Sequence, residues 1–276
     1  MKPHPNAKFL RKGVLPHQFC PGCGCGQVLN YLIYAMQELN LDMDKVVLLG
    51  GVGCNSRIPV YINAEAVHGT HGRTLALATG IRLANPELKV IVITGDGDCV
   101  SIGTNHFVQA ARRNLDATVI LVNNGIFGMT GGQAAPTTPL GSRTSTSPMG
   151  SMENAFDLCK LAETAGATYV SRWTTAHPRS AIRSIKKGVE HKGFSFIEMV
   201  SQCPTYFGRY VLKIPPEKSL EYLLWLRDNW ITKEKASQLS DEELKGKIVV
   251  GDFVEKRAQT LMQRYQEMER NVRCSE

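Results

Sequence analysis

The 276-residue sequence has no apolar run approaching the roughly 20 residues that a membrane-spanning helix needs. Its basic N-terminus, Met1–Pro16, holds no apolar segment of the kind a secretory signal carries. These absences point away from a membrane or secreted protein and toward the cytoplasm. Aromatic residues make up only 7% and do not interleave with basic ones, which argues against nucleic-acid binding. No internal repeat is evident, and the length of the chain without a signal segment argues against a disulfide framework. Three of the eight fall within Cys20–Cys25, so metal or redox chemistry is the better reading. The net charge of +7 fits either attraction of an acidic protein partner or an ordinary solvated basic surface.

What is present is an alternation of apolar runs and amphipathic segments. Met1–Gln18 reads as an extended arm. Gln27–Leu39 carries a helical stripe (Val28, Leu29, Leu32, Ile33, Met36, Leu39). A strand over Lys45–Leu49 breaks at Gly50-Gly51-Val52-Gly53. Thr74–Leu83 is a small-residue helix, and Val90–Thr94 and Thr118–Val122 are continuous apolar runs, as buried parallel strands should be. His106–Arg113 is the crossover helix between them. Met129–Met149, rich in Gly, Thr, Ser and Pro, has no periodicity and is expected to be a long functional loop. Helices are expected over Glu153–Ala165 and Arg179–Glu190, with a strand at Ser195–Val200. Beyond Pro215-Pro216 the composition turns charged, with helical segments near Leu220–Asn229 and Val254–Glu269. The predicted fold is α/β: an open, mostly parallel sheet with helices on both faces. The expected division is an N-terminal arm (1–18), an α/β domain (19–213) and a C-terminal helical arm (214–276).

Two of the strands end in polar sites. Lys89–Thr94 runs into Gly95-Asp96-Gly97-Asp98, and Ala117–Val122 runs into Asn123-Asn124-Gly125. A carboxylate and an amide oxygen at the ends of adjacent strands can share one hard cation such as Mg2+. The glycines admit backbone amides close to a diphosphate, and the helix N-termini that follow favour its charge. Alone, Gly95-Asp96-Gly97 is equally readable as a turn. The full pattern resembles the diphosphate-binding motif of thiamine-diphosphate enzymes.

Cys20-Pro-Gly-Cys23-Gly-Cys25 stands just before a helix, where two thiols separated by two residues can bind one metal centre. Such a pair is open to zinc, redox chemistry or no role at all. Cys54 and Cys203 each follow a strand, at the sheet edge where a ligand is expected. With Cys20 and Cys23 they make four candidates for a [4Fe–4S] cluster, which takes four thiolates; Cys25 is a substitute candidate. Cys99, Cys159 and Cys274 read as buried or incidental thiols.

Taken together, CPGCG, GVGCNSR, HGTHGR, GDGD, NNGIFGMTGGQ and CPTYFGR resemble, in that order, the β subunit of 2-oxoacid:ferredoxin oxidoreductases, from about Phe19 to about Arg209. The resemblance implies Cys20, Cys23, Cys54 and Cys203 as cluster ligands. It implies Asp96 and Asn124 as side-chain Mg2+ ligands, with the Ile126 carbonyl as a third. Gly95, Gly97, Asp98, Gly128 and Met129 would line the diphosphate. His71, Gly72 and Arg73 would flank the thiamine diphosphate near Gly53, Cys54 and Asn55. Phe127 departs from the pattern, since many members carry Tyr there. The Met129–Gln133 stretch, otherwise readable as a linker, would order over the diphosphate.

The implied activity is coenzyme A-dependent oxidative decarboxylation of a 2-oxoacid, with electrons passed through the cluster to ferredoxin. The chain lacks the glutamate that activates the cofactor's aminopyrimidine, which in the family comes from a separate α subunit; alone it should be inactive. Cys203–Arg209 looks most like the 2-oxoglutarate branch, with pyruvate and branched-chain 2-oxoacids as alternatives. Arg57 and His71 are the candidate catalytic residues. Arg57 is placed to pair with a second substrate carboxylate, or else faces solvent or coenzyme A; His71 has ordinary packing as its alternative. A rival reading, a zinc-stabilised interaction subunit without cofactor, predicts a colourless protein.

Overall fold

The computed structural model describes residues 5–273. The ends of both expected arms, including Cys274, lie outside the described residues. Ten strands follow in chain order: β1 (Val46–Gly50), β2 (Glu65–His68), β3 (Lys89–Gly95), β4 (Ala117–Asn123), β5 (Ile126–Phe127), β6 (Gln133–Ala134), β7 (Tyr169–Thr174), β8 (Phe194–Val200), β9 (Trp230–Thr232) and β10 (Ile248–Glu255). Eight of them form one sheet in the order β2-β1-β3-β4-β8-β7-β10-β9, while β5 and β6 pair as a short antiparallel hairpin. From β2 to β7 all pairings are parallel; β10 runs antiparallel to β7. The helices are α1 (Gly24–Glu38), α2 (Ile58–Tyr61), α3 (Thr74–Ala84), α4 (Thr104–Arg112), α5 (Leu158–Thr164), α6 (Pro178–Glu190), α7 (Ser219–Asp228), α8 (Lys233–Ala236), α9 (Asp241–Leu244) and α10 (Leu261–Arg273). Among the described residues no helix is long and apolar enough to cross a membrane.

The period of two along each strand sorts side chains into two cores. Leu48, Ile91, Ile93, Ile120, Val122, Ile197 and Met199 face α1 and α6. Their neighbours Leu49, Val92, Val119, Leu121 and Phe196 face the helices α3, α4 and α5. Each strand is therefore apolar on both sides, which is why its sequence reads as a continuous run. After β1 the chain turns to β2 on one side and then crosses to β3 on the other. The crevice at the C-terminal ends of β1 and β3 lies at this reversal of strand order, where ligands bind in open α/β sheets.

Several elements differ from the sequence expectations. Helix α1 starts at Gly24 rather than Gln27, because the Gly24 amide is anchored on the Gln202 carbonyl at 3.1 Å. Helix α5 starts only at Leu158, where Asp157 accepts the Cys159 and Lys160 amides as an N-cap; residues 153–156 are irregular. The described part of the N-terminal arm is clamped, with Phe9 buried in the core and the Arg11 guanidinium bonded to Ile62. Strands β2 and β7 have no counterpart in the sequence reading, one being short and exposed, the other carrying Ser171 and Arg172 between its apolar positions. Beyond residue 214 the segment is helical at α7 to α10 and in addition supplies β9 and β10 to the sheet. Val254, expected in a helix, belongs to β10, whose apolar run is interrupted by Gly251 and by a bulge between Asp252 and Val254.

Candidate functional site

At the end of β3 the Asp96 carboxylate is buried. Its Oδ1 accepts the Gly97 amide at 2.9 Å, and Oδ2 accepts the Gly125 amide at 3.0 Å together with the Thr137 hydroxyl. Burial pushes the Asp96 pKa up to about 6 against the opposing pull of these hydrogen bonds. Across from it, at the end of β4, Asn124 Oδ1 accepts the Ile126 amide at 3.3 Å, and Asn55 donates to the Val122 carbonyl. A Cβ on Gly97 would collide with the Phe127 ring, and one on Gly95 with the Asn55 amide, so both positions require glycine for lack of room. The chain then enters a π-helical turn, Asp98–Ile102, of the kind often found at functional sites.

Asp98 has a different role from Asp96. Its Oδ1 accepts the Gly72 amide at 2.7 Å, and its Oδ2 accepts the Thr94 hydroxyl at 2.7 Å. His71 Nδ1 also lies 2.7 Å from Oδ1, a close contact that does not have hydrogen-bond geometry. The carboxylate thus ties the His71-Gly72 turn to the end of β3, and His71 remains partly exposed at the cleft.

The cysteines arrive from three separate elements. Cys20 and Cys23 belong to a turn closed by the Cys23 amide on the Cys20 carbonyl, with Gly22 at φ +74. The Gly24–Gln202 hydrogen bond fastens this turn to the exit of β8, next to Cys203, and Cys54 comes from the loop after β1. The thiols are near enough to feel one another. Burial first, and neighbouring thiolates second, push Cys54 and Cys203 up to about 11. A hydrogen bond from Cys25 lowers Cys23, while the same bond and burial raise Cys25 well above the usual range. Among the described residues no three His, Cys, Asp or Glu side chains close on the spacing of one ion. All seven described cysteines are free.

One cleft receives residues from each of these elements. It is lined by Gly53, Cys54 and Asn55 after β1, by His71, by Gly95 to Asp98 after β3, and by Asn124, Ile126, Gly128 and Met129 after β4. Gly128 marks where they meet. A Cβ there would stand 3.5 Å from Cys203 Sγ, 3.8 Å from Asn124 Nδ2 and 4.0 Å from Cys54 Sγ.

Three sequence candidates are placed otherwise. Gly72 is buried behind His71, Arg73 turns to the Ile102 carbonyl at 3.2 Å, and Arg57 is exposed on the single turn after Cys54. The structure also adds residues that the sequence reading did not assign to the site. Phe127 lines the cleft beside Thr130 of the expected Met129–Gln133 stretch, Thr137 holds Asp96, and Thr138 donates to the Gly125 carbonyl at 2.6 Å. The hairpin of β5 and β6 turns the chain back so that Thr137 and Thr138 reach Asp96 and Gly125 from the far end of the loop. Only the polar, aperiodic character of Met129–Met149 signalled this.

Residues 51–199 match the family model described as "Thiamine pyrophosphate enzyme, C-terminal TPP binding domain". Among curated proteins, the chain is 53% identical over 252 residues to a 2-oxoglutarate synthase subunit KorB of Methanocaldococcus jannaschii, covering 91% of this chain and 92% of that one. It is 46% identical over 192 residues to a 2-oxoacid:ferredoxin oxidoreductase subunit beta of Saccharolobus solfataricus, covering 69% of this chain and 63% of that one. Among solved structures it resembles the 2-oxoglutarate:ferredoxin oxidoreductase of Magnetococcus marinus, bound there to 2-oxoglutarate, coenzyme A and succinyl-CoA. The TM-score is 0.86 at 32% identity, covering 99% of this chain and 92% of that one. A buried aspartate and a half-buried asparagine at two strand ends, glycines without room for a side chain and thiols gathered beside them occur in a chain with these relatives, and it belongs to the thiamine-pyrophosphate enzymes as a KorB-type β subunit of the 2-oxoacid:ferredoxin oxidoreductases.

Proposed function

We propose that this chain is the thiamine-diphosphate subunit of a 2-oxoglutarate:ferredoxin oxidoreductase, forming succinyl-CoA and CO2 with a separate α subunit and a ferredoxin as partners. The observation that carries the proposal is the convergence at Gly128, where two thiols and the ion-site amide lie within 4.0 Å of one point. Such an arrangement makes cofactor and electron acceptor neighbours. The free cysteines suit a reducing cytoplasm.

The residues fit the groups. We assign the ion to Asp96 rather than Asp98: Asp96 stands opposite Asn124 with an Oδ1 that accepts only the adjacent Gly97 amide, whereas Asp98 ties the His71-Gly72 turn to Thr94. Asn124 and the Ile126 carbonyl complete a Mg2+ site of hard oxygen donors. Gly128 keeps the space between the thiols and Asn124 clear for a diphosphate, while Gly97 lets the Phe127 ring close over the turn. Cys20, Cys23, Cys54 and Cys203 arrive from three elements beside the cleft, and burial holds Cys54 and Cys203 as thiols that only a cationic centre would turn into thiolate ligands; four thiolates are what a [4Fe–4S] cluster takes. When bound, thiamine diphosphate supplies the carbon chemistry of 2-oxoacid decarboxylation and the cluster takes up electrons singly. His71, held by Asp98, flanks the cofactor at the mouth of the cleft. Arg57, exposed on the turn beyond Cys54 and outside the cleft lining, is the residue we assign to the second carboxylate of 2-oxoglutarate.

The test is an anaerobic assay of the purified complex with coenzyme A and ferredoxin against a panel of 2-oxoacids. The expected result is ferredoxin reduction dependent on coenzyme A, with the highest kcat/KM for 2-oxoglutarate. Preference for pyruvate or a branched-chain acid would move the chain to another branch of the family.

A further inference from the structure

Strand β8 buries a carboxylate that the chemistry above does not use. Glu198 has 2% of its surface exposed and follows Phe194 and Phe196 on a strongly apolar face. Its Oε2 accepts Arg172 Nε at 2.7 Å and the Cys159 thiol at 3.4 Å. Replacing such a buried ion pair by apolar side chains is often neutral or stabilising, so the fold itself gives little reason to keep it.

Its other oxygen gives a reason. Glu198 Oε1 accepts Asn123 Nδ2 at 2.7 Å, and Asn123 Oδ1 accepts the Gly125 amide at 3.0 Å. That same amide donates to Asp96 Oδ2 at 3.0 Å, and Asn124 stands between the two residues. We propose that Glu198 and Arg172 are positioning residues: through Asn123 they fix the turn that sets Asn124 opposite Asp96. The inference rests on the reading of Asp96 and Asn124 as holders of the cofactor's ion.

The relay also gives the C-terminal segment a part in the site. Arg172 Nη2 donates to Asp157 at 2.6 Å, Nη1 donates to the Val249 carbonyl at 3.4 Å, and the guanidinium lies 5.4 Å from the centre of the Phe253 ring. Val249 and Phe253 belong to β10. A strand distant in sequence thereby holds the arginine that orients Glu198, and the chain runs β10 to Arg172, Glu198, Asn123 and the ion-binding turn. Burial alone would raise the Asp157 carboxyl, yet Arg172 beside it holds it below the usual carboxylate range, so Asp157 keeps its charge as a partner.

A polarity swap tests the relay in the complete α–β complex. Asn123→Asp sets a carboxylate against Glu198, whereas Asn123→Asp with Glu198→Gln restores a hydrogen bond with donor and acceptor exchanged. The reading is the calorimetric Kd of thiamine diphosphate at saturating Mg2+, alongside iron content and the melting temperature of the cofactor-free complex. Asn123→Asp is expected to raise Kd roughly ten- to a hundredfold with iron unchanged, and the double variant to return it to within about fivefold of the wild type. Should Asn123→Asp not fold, Glu198→Gln alone is expected to weaken binding roughly three- to tenfold with iron content unchanged, whatever loss of melting temperature follows from neutralising the partner of Arg172. Normal binding by the variants, or a double variant no better than Asn123→Asp, would overturn the relay. Absence of binding by the wild type would instead overturn the cofactor reading on which it rests.

Discussion

Asp96→Asn alters the ion site's charge with almost no change in volume. Asp96 Oδ1 accepts the Gly97 amide, while Oδ2 accepts the Gly125 amide and the Thr137 hydroxyl, so either orientation of an asparagine points its amino group at a donor. The substitution also removes the single negative charge offered to the ion. A charge-assisted contact contributes about 1.5–3 kcal/mol, equivalent to a roughly ten- to hundredfold rise in the Kd of thiamine diphosphate at saturating Mg2+. The pH dependence has a definite sign. Burial raises the Asp96 pKa to about 6 in the cofactor-free protein, so its proton must leave before an ion can bind. Wild-type affinity should therefore strengthen as pH rises, by close to tenfold per unit below about 6, and level off above it. The asparagine variant has no such proton to lose, so it should lack this dependence. Calorimetry of the α–β complex between about pH 5 and 8 reads both effects, with iron content as the control for folding. An asparagine variant that binds within about threefold of the wild type near neutral pH would refute Asp96 as the ion's ligand.

Gly128→Ala should leave the melting temperature unchanged, because its Cβ meets only ordinary contacts of 3.5–4.0 Å, yet it should abolish cofactor binding by filling the space between thiols and ion site; differential scanning calorimetry with and without thiamine diphosphate checks both halves. Cys54→Ser and Cys203→Ser should each lower bound iron in anaerobically purified protein, whereas Cys159→Ser, buried beneath Glu198, should not. Greater iron loss from Cys25→Ser than from Cys54→Ser would mean that the ligand set is wrong. Arg57→Ala should reduce kcat/KM for 2-oxoglutarate roughly ten- to a hundredfold more than for pyruvate. Equal losses for the two acids would assign Arg57 to a contact that all substrates share.

The central parallel strands and the residues at their ends were legible because burial on both faces leaves continuous apolar runs, and each run stops abruptly at Gly95 or Asn123. Strand β7 was not, because Ser171 and Arg172 interrupt its apolar positions, and the reason for Arg172 lies in Glu198, 26 residues away. Strand β10 was hidden by Gly251 and Asp252, which read as a break until the bulge against β7 is seen. In the site, Asp96 and Asn124 could be named from their positions at strand ends. The resemblance separated Asp96 from Asp98, but the partners of Asp98 could not be named, since only the turn of the backbone sends its carboxylate to Gly72 and Thr94. Thr137 was out of reach for a similar reason: a loop of 41 residues' separation returns it to Asp96, and no local spacing records such a contact.

The juxtaposition of cofactor and cluster is tested most directly by electron paramagnetic resonance of the anaerobic α–β complex mixed with 2-oxoglutarate. With thiamine diphosphate and Mg2+ present, the signal of a reduced [4Fe–4S] cluster should appear on mixing, and it should be absent when either is withheld or when Asp96→Asn is used. A cluster that stays oxidised in the fully loaded wild-type complex, or a colourless protein that carries zinc in place of iron, would contradict the assignment of the Cys20, Cys23, Cys54 and Cys203 thiols to an electron acceptor beside the cofactor.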